Sequence, residues 1–510
     1  MQNTVYKNAS IVTGLSIAER GLGFLYRVVL SRLIGAEGLG LYQVALSLFG
    51  LFLTVGTGGI PISVSRMITK SKALGDKKGE VRAVSAGFTA CLLLSLPICL
   101  FLWLFGAKMP FLFTDNRAYG VFRILLIGLC FSCVYAVIRG YFWGNKEFLT
   151  PSLIEISEEA VMVVVGVALL KRIPSPAVGA ERAAWAVVLS YLFSFTVATI
   201  CFFLKGGKLS TPKKALKPLF NASMPITSVR ASASLITSAV AVLLPAMLIR
   251  TGLSEGDAMK LFGIVSGMVF PILFIPSTLI GSLALVLIPE LSEDYYRKNY
   301  TRLKKNLSRG LRFAFWIACA LIPFFFVLGE EMGAIAFSNP LAGTMIKRSC
   351  IILLPMSLTM ISTSMLNALG FEKQTFVFFF VGAAALLVSV LFLPQVCGAY
   401  AYIIGLGASY LLTAVCNLAL LYKKCAFLRK PTEQRDCKSL LFSLFSILPL
   451  SLFGQLMQAL FLSFAGETLS LLFTAISLAL ASAFLYFSFG LLPAHRKKKK
   501  RFFKKIPSHP

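Results

Sequence analysis

The sequence predicts an all-α polytopic membrane protein with about fourteen transmembrane helices, and three observations lead to that prediction. Of the 510 residues, 57% are hydrophobic and only 14% are charged, whereas soluble domains carry about 25% charge. Runs of roughly 20 predominantly apolar residues, long enough to cross a bilayer as a helix, recur along the whole chain. The basic residues collect in alternate segments between these runs, which is how charge marks the two sides of a membrane.

The predicted spans are placed in chain order, with their ends set to within about 2–4 residues. They lie near 9–33, 41–65, 84–106, 119–142, 152–170, 184–204, 218–249, 259–289, 311–328, 346–369, 375–394, 399–422, 439–461 and 468–492. Two of them, 218–249 and 259–289, exceed the length of one crossing. Because Pro225 and Pro245 interrupt the first and Pro271 and Pro276 the second, bent or broken helices are expected there.

The net charge of +29 does not indicate a nucleic-acid partner, because its distribution follows the predicted topology. With the N-terminus inside and alternating spans, 35 of the 50 Lys and Arg fall on the inner side, 10 on the outer side and five within spans. Such an inward bias is the positive-inside signal. Both termini are therefore predicted to be cytoplasmic, and the basic loops and the basic tail at 494–510 are expected to attract anionic lipids.

Short matches between the two halves of the chain predict an internal repeat. Spans one and seven open with the same Asn-Ala-Ser, at Asn8 and Asn221, and Ile-Pro recurs near the ends of spans two and eight, at Ile60 and Ile288. Secondary carriers are often built from two repeats around a midplane site. The expected division is a first six-helix lobe (1–210), a second six-helix lobe (211–425), an additional helix pair (426–493) and the tail.

Two arginines on span one are predicted to bind substrate. Arg20 lies near the middle of the span and Arg27 seven residues later, so the two share a helix face. An arginine at the centre of a bilayer costs about 2.5–3.5 kcal/mol on insertion scales. A guanidinium kept there favours a water-filled cavity and an anionic ligand, because its fork of donors matches phosphate or carboxylate. The alternative for Arg20 is a buried ion pair.

A third arginine, Arg230, lies in the middle of span seven, the repeat partner of span one. Together with Thr227, Ser234 and Thr237 it forms a polar stripe at helical spacing. Such a stripe either lines a cavity or joins two helices by hydrogen bonds, and the arginine favours the cavity. The two other intramembrane arginines, Arg123 and Arg139, lie closer to span ends, which favours snorkelling to the interface.

Acidic residues in spans one and five are the candidates for ion coupling or gating. Thr150-Pro151 is expected to cap the fifth helix, which would account for Glu155 in its first turn. Glu158 and Glu159 lie a turn deeper, where a carboxylate is costly unless a proton, a cation or an arginine neutralises it. Glu19 either joins them or pairs with a neighbouring helix.

No catalytic residue, metal site or cofactor is predicted. The only histidines, His495 and His509, are in the tail, and the cysteines show no metal-ligand spacing. There is no Gly-rich loop ending in Gly-Lys-Ser/Thr that would bind a nucleoside triphosphate. An enzyme is therefore not expected, and transport would be driven by an ion gradient, the membrane potential or the substrate gradient.

Three stretches resemble one known family. Ala36-Glu-Gly-Leu-Gly-Leu-Tyr-Gln43, Gly59-Ile-Pro61 and Pro151-Ser-Leu-Ile-Glu-Ile-Ser-Glu-Glu159 are similar to the stage V sporulation protein B family. That family belongs to the multidrug/oligosaccharidyl-lipid/polysaccharide exporter superfamily and is similar to lipid II flippases. The resemblance covers essentially the whole chain. One departure is that the family tends to have Glu-Gln where this chain has Glu158-Glu159.

The resemblance implies a flippase for an undecaprenyl-pyrophosphate-linked saccharide, lipid II or a related precursor, in the bacterial cytoplasmic membrane. The pyrophosphate is then expected on Arg20, Arg27 and Arg230, and the chain is expected to be monomeric. The first alternative is an ion-coupled multidrug antiporter of the same superfamily, which favours carboxylates and aromatic rings over arginines in its cavity. The second is a non-transporting scaffold for envelope synthesis, which leaves the midplane charges without a role.

Overall fold

The chain folds as an assembly of helices in the computed structural model, which describes residues 2–109, 112–171, 173–424, 434–464 and 466–488. The helices are α1 (Gln2–Thr57), α2 (Ile60–Ala73), α3 (Lys77–Phe105), α4 (Asn116–Gly144), α5 (Leu149–Leu169), α6 (Pro176–Leu204), α7 (Lys213–Arg250), α8 (Glu255–Gly263), α9 (Phe270–Leu273), α10 (Ile275–Tyr296), α11 (Tyr300–Phe337), α12 (Pro340–Ser349), α13 (Leu353–Ala368), α14 (Glu372–Phe392), α15 (Pro394–Cys397), α16 (Tyr400–Lys424), α17 (Gln434–Phe445), α18 (Ile447–Phe464) and α19 (Glu467–Ser488). No strand occurs within these ranges, so the predicted all-α class is confirmed.

Twelve stretches of helix are long and apolar enough to cross a membrane among the described residues, and the protein is a multi-pass membrane protein. The first of them, Gly14–Ala73, is 60 residues long and so has the length of two crossings. The predicted fifth span corresponds to α5, which is outside the twelve; it carries Glu155, Glu158 and Glu159. The predicted number of about fourteen is therefore approximate.

The first two predicted spans are continuous in the structure, where a loop near 34–40 was expected. Helix α1 runs for 56 residues and is interrupted only at Gly35, which has φ 70° and ψ 179°. Glycine adopts this positive φ at little cost, whereas a side chain there would be strained. One residue therefore redirects the helix without a loop.

Proline has different effects in the two long predicted spans. Helix α7 continues unbroken from Lys213 to Arg250, with Pro225 and Pro245 inside it. Of the two expected alternatives, a bent or a broken helix, the broken one does not occur in this span. The second span is divided as expected: α8 ends at Gly263, a π-helical turn covers 264–269, and α9 and α10 follow. Pro271 and Pro276 lie in the first turns of α9 and α10, where a missing backbone N–H costs nothing.

Helix packing groups the elements along the chain. Helices α1 to α6 pack on one another, with α4 in contact with all of the other five. In the later part, α10, α11, α13, α14 and α16 form a second set of packed neighbours. Helix α7 contacts α1, α2 and α3 of the first set and α14 of the second. We use the names first lobe and second lobe for 1–210 and 211–425; these boundaries and the repeat remain predictions.

The additional helix pair packs against the second lobe through α11. Helices α18 and α19 contact each other and α11, and Gly454 of α18 lies against Val327 and Leu478. The Gln458 amide donates a hydrogen bond to the Glu331 carboxylate. The predicted basic tail at 494–510 lies outside the described residues.

Candidate functional site

The acidic residues singled out in the sequence meet in one polar cavity inside the first lobe. The cavity has a volume of about 200 Å³. Its lining comes from α1, α4, α5 and α6 and comprises Glu19, Leu53, Thr57, Ser132, Tyr135, Ala136, Arg139, Glu155, Glu158, Glu159 and Tyr191. Four carboxyl groups and one guanidinium thus face a common space between α1, α4, α5 and α6. Such a space can take up a proton or another cation, because the acids outnumber the base.

One ion pair spans this cavity. Arg139 Nη1 donates to Glu155 Oε1 over 3.0 Å, joining α4 to α5. The Arg139 guanidinium also lies 5.0 Å from the ring centroid of Trp143 and 5.9 Å from that of Tyr135, within the range of cation–π attraction. The Arg139 Nε atom is buried with no hydrogen-bond partner among the described residues. Arg139 is therefore held by its neighbours in the lobe, and its snorkelling to the interface stays a prediction.

The deeper carboxylates have fewer partners than Glu155. Glu158 lies within hydrogen-bonding reach of Ser194 on α6. Glu159 Oε2 is buried and makes no hydrogen bond within the described part of the chain. Glu159 is exposed to the electrostatic fields of Glu19, which repels it, and Arg27, which attracts it. A carboxylate in this setting is costly in its ionised form, so the geometry favours neutralisation by a bound proton or cation.

Glu19 belongs to the same group. Its side chain is half-buried and feels the charges of Glu155, Arg20 and Arg139. The three predicted coupling residues, Glu19, Glu158 and Glu159, are thus brought together in space, although α1 and α5 are far apart in the chain. No group of three or more His, Cys, Asp or Glu in the described ranges is arranged as a metal site.

Arg20 and Arg27 lie on the first half of α1 with exposed side chains. Among the described residues, neither guanidinium forms a salt bridge or a hydrogen bond, so the alternative of a buried ion pair does not describe Arg20. Arg27 lies close enough to Glu159 to attract its carboxylate. The guanidinium groups of Arg20 and Arg27, on one face of α1, therefore remain available to bind an anion.

The polar stripe of α7 forms a hydrogen-bonded seam with the end of α1. Arg230 Nη1 donates to Gly58 O over 3.0 Å, and the Gly59 N–H donates to Thr227 Oγ1 over 2.9 Å. One turn further on, the hydroxyls of Ser234 and Thr54 are 3.0 Å apart. The stripe therefore does join helices, while the Arg230 side chain remains exposed beyond its one contact. Arg230 therefore lies at the contact between α7 and the end of α1, whereas Arg20 and Arg27 lie on the first half of α1.

Two of the quoted glycine stretches mark close contacts between the lobes. A β-carbon at Gly40 would lie 2.0 Å from Met259 O on α8, and one at Gly59 would lie 2.3 Å from Ser223 O on α7. Both distances are far below van der Waals contact, so only glycine allows the backbones to approach this closely. These positions set how closely α8 and α7 approach the segment 40–59.

The start of α5 differs from the sequence prediction. Helix α5 begins at Leu149 after Phe148, which has helical dihedrals, and no side chain caps it; Thr150 Oγ1 instead donates to Glu147 Oε1 over 2.9 Å. The predicted Thr150 cap was wrong because the chain enters the helix two residues earlier.

The Arg139–Glu155 pair could have been found from the sequence, since both residues are equally far from Glu147 in the α4–α5 hairpin and so lie at the same depth.

Comparison with known proteins places this chain in a family. The family model described as "Polysaccharide biosynthesis protein" matches residues 5–294. Stage V sporulation protein B of Bacillus subtilis (strain 168) is 26% identical over 360 residues, covering 68% of this chain and 69% of that protein. Lipid II flippase MurJ of the same organism is 22% identical over 339 residues, covering 61% of this chain and 62% of that protein.

Solved structures share the fold. A structure described as "Lipid II flippase MurJ, inward closed conformation" superposes with a TM-score of 0.69 at 14% identity, covering 94% of this chain and 99% of that chain. An inward-facing multidrug resistance MATE family transporter of the MOP superfamily gives a TM-score of 0.69 at 15% identity, covering 81% and 96%. Identities this low show the architecture alone.

Proposed function

This chain belongs to the polysaccharide biosynthesis protein family, and from that premise we propose that it is a flippase. Its substrate is an undecaprenyl-pyrophosphate-linked saccharide, lipid II or a related wall or polysaccharide precursor. Two relatives support this substrate class by their names, one a stage V sporulation protein and the other a lipid II flippase. The fold shared with a lipid II flippase supports the transporter architecture. The chain moves the head group across the cytoplasmic membrane by alternating access, while the lipid tail remains in the bilayer.

One observation carries the proposal: Arg20 and Arg27 present exposed guanidinium groups, with no salt bridge to any described residue, from a helix of a membrane-spanning lobe. Such groups are retained in a membrane protein when they face a cavity and bind something. A pyrophosphate offers several oxygens to a guanidinium fork. Arg230 supplies a third cation at the α7 seam, and the Thr227 and Ser234 hydroxyls on the same stripe complete the proposed substrate-binding residues.

The acidic cavity provides the coupling in this proposal. A proton or cation bound among Glu19, Glu158 and Glu159 neutralises repulsion inside the first lobe, and its release changes the charge facing Arg27. Because Glu159 and Arg27 act on each other electrostatically, the ion and the pyrophosphate are linked through one arginine. Loading the cavity with a cation frees Arg27 for the anion.

The orientation follows from the charge count: both termini are cytoplasmic, and the basic loops and tail contact anionic lipids. The chain acts as a monomer, because one copy contains both lobes. Nucleic acid is not a partner.

Complementation tests the proposal. The wild-type gene is expressed in a bacterial strain depleted of its own lipid II flippase, beside Arg20→Ala, Arg27→Ala and the control Arg123→Ala. Arg123 is the matched control because it too is an exposed membrane arginine, but its guanidinium lies 5.8 Å from the Trp103 ring centroid. Growth with wild type and the control, and none with the other two, is expected. Failure of the wild-type chain, at normal membrane levels, would exclude lipid II and leave other polyprenyl-linked saccharides.

A second candidate, an ion-coupled multidrug antiporter, is favoured by one observation. The first-lobe cavity is lined by four carboxylates and the rings of Tyr135 and Tyr191, which is a lining suited to an organic cation. Efflux of cationic dyes from cells, lost in Glu158→Gln and unaffected by Arg20→Ala, would support the antiporter over the flippase.

A further inference from the structure

The C-terminal end of α11 has two backbone carbonyls, at Ile335 and Ala336, that are paired by a distant side chain and not by the backbone that follows the helix. The Ser338 N–H donates to Ala334 O and the Asn339 N–H to Gly333 O, so among the last four carbonyls of the helix, which a helix end leaves open, only that of Ala334 receives one of these two bonds. The next two carbonyls belong to Ile335 and Ala336. The last turn of α11 contains no basic residue of its own to complement the negative end of the helix dipole.

Arg32 of α1 occupies this end of α11. Its Nε atom donates to Ala336 O over 2.9 Å, and its Nη2 atom donates to Ile335 O. One guanidinium thus uses two donors of its fork on two successive carbonyls, a pattern that a lysine cannot reproduce. Arg32 belongs to the first lobe and α11 to the second, so the contact joins the lobes across 304 positions of sequence.

A closed seam lies directly beside this contact. After the break at Gly35, α1 packs backbone to backbone against α8, and Leu39 is fully buried against Gly267 in the π-helical turn. Arg32 itself is exposed, so water can rehydrate both the guanidinium and the carbonyls when they separate. The contact adds two charge-assisted hydrogen bonds to the closed seam, and it can be released without leaving a buried charge behind.

We propose that Arg32 is a releasable latch that keeps the lobes closed at the α1–α8 seam by capping the C-terminus of α11. The seam lies on the predicted outer side, so the latch holds the carrier closed to the outside and must open once per transport cycle. This inference rests on the proposed function only in requiring a conformational cycle, and it holds for any cargo. Removing the latch shifts the population toward the state that is open at the seam.

Thiol labelling tests the latch without any substrate. Leu39→Cys places a thiol in the seam, and its reaction with a maleimide in purified protein is followed by mass spectrometry of the peptide that contains residue 39. Adding Arg32→Ala is expected to speed the labelling by about tenfold or more, the factor for losing at least one charge-assisted hydrogen bond. Arg32→Lys should give an intermediate rate. Arg250→Ala is the control, since Arg250 is exposed at the end of α7 and contacts only the Met247 sulfur among described residues, at 4.0 Å.

Equal labelling rates in the Arg32→Ala and Arg250→Ala backgrounds would overturn the latch. A failure of complementation in wild type would not, because the labelling does not depend on the cargo.

A second measurement keeps Arg32 intact. Leu39 Cγ lies 2.6 Å from the β-carbon position of Gly267, so the β-carbons of Leu39→Cys and Gly267→Cys would lie within about 4 Å, which suits a disulfide. Oxidation by a copper–phenanthroline catalyst should cross-link the pair and stop transport, and a reductant should restore it. Transport that continues in the fully cross-linked protein would show that the seam does not open.

Discussion

Arg139 on α4 and Glu155 on α5 form the one ion pair that crosses the polar cavity of the first lobe, with 3.0 Å between Nη1 and Oε1. This pair gives Glu155 a different environment from that of the deeper carboxylates. Glu155 is neutralised by a partner, whereas Glu159 has a buried oxygen without a hydrogen bond in the described part of the chain. Coupling is therefore expected from the deeper carboxylates, and structural support from the pair.

Arg139→Ala is predicted to destabilise the first lobe by about 1–3 kcal/mol, because it leaves Glu155 as an unpaired carboxylate among three others. Thermal unfolding in detergent should show a lower Tm. The double variant Arg139→Ala with Glu155→Ala removes both charges and should recover part of the loss. A double variant less stable than the sum of the singles would contradict the pairing.

Arg20→Ala and Arg230→Ala are predicted to abolish flipping while folded protein remains in the membrane. For Arg20 the reason is an exposed guanidinium that stabilises nothing else by a hydrogen bond or salt bridge to described residues. Arg230 also bonds Gly58 O, so its alanine variant should lose some stability, and Arg230→Lys should recover stability better than transport. Substrate accessibility in intact cells measures flipping. Wild-type rates in both alanine variants would remove these residues from the site.

The double variant Glu158→Gln with Glu159→Gln distinguishes coupling from structural pairing. If the two carboxylates take up a proton or a cation, transport should fall and its dependence on pH or sodium should change. A purely structural role predicts lower stability with an unchanged ion dependence. We expect the first result for Glu159, which has fewer partners than Glu158, and single variants will separate them. Unchanged transport, stability and ion dependence would leave the pair as solvated charges without a function.

Gly40→Ala is predicted to disrupt the α1–α8 contact, because its β-carbon would lie 2.0 Å from Met259 O. Gly50→Ala on the same helix is the control, since nothing lies within 4 Å of that position and alanine favours helix by about 0.5–1 kcal/mol. The yield of folded protein and its Tm should drop for the first variant and hold or rise for the second. Similar stabilities would show that the seam is looser than described.

Topology is testable with native cysteines. Cys425 and Cys437 flank the basic segment near residue 430, which the charge bias assigns to the inside. A membrane-impermeant thiol reagent should spare both in intact cells and label them in inverted vesicles. Labelling of either from outside, or of a cysteine introduced in the tail, would refute the orientation with both ends inside.

The sequence by itself determined the fold class, because apolar runs of bilayer length have few alternatives to helices. It also identified Glu19, Glu158 and Glu159 as unusual, since charge at membrane depth is costly wherever the helix packs. Glycine stretches such as the one containing Gly40 were visible as patterns, but their partners were not.

Only the tertiary structure decided which charges meet. Sequence distance says nothing about Arg32 reaching Ala336, because that contact depends on how two lobes close and on which carbonyls a helix end leaves free. The same holds for Arg230: its position in a polar stripe was equally consistent with a cavity wall and a helix contact, and the structure provides a hydrogen bond to Gly58 O together with an exposed side chain. Helical periodicity fixes the face on which a residue lies, whereas packing between helices fixes what that face touches.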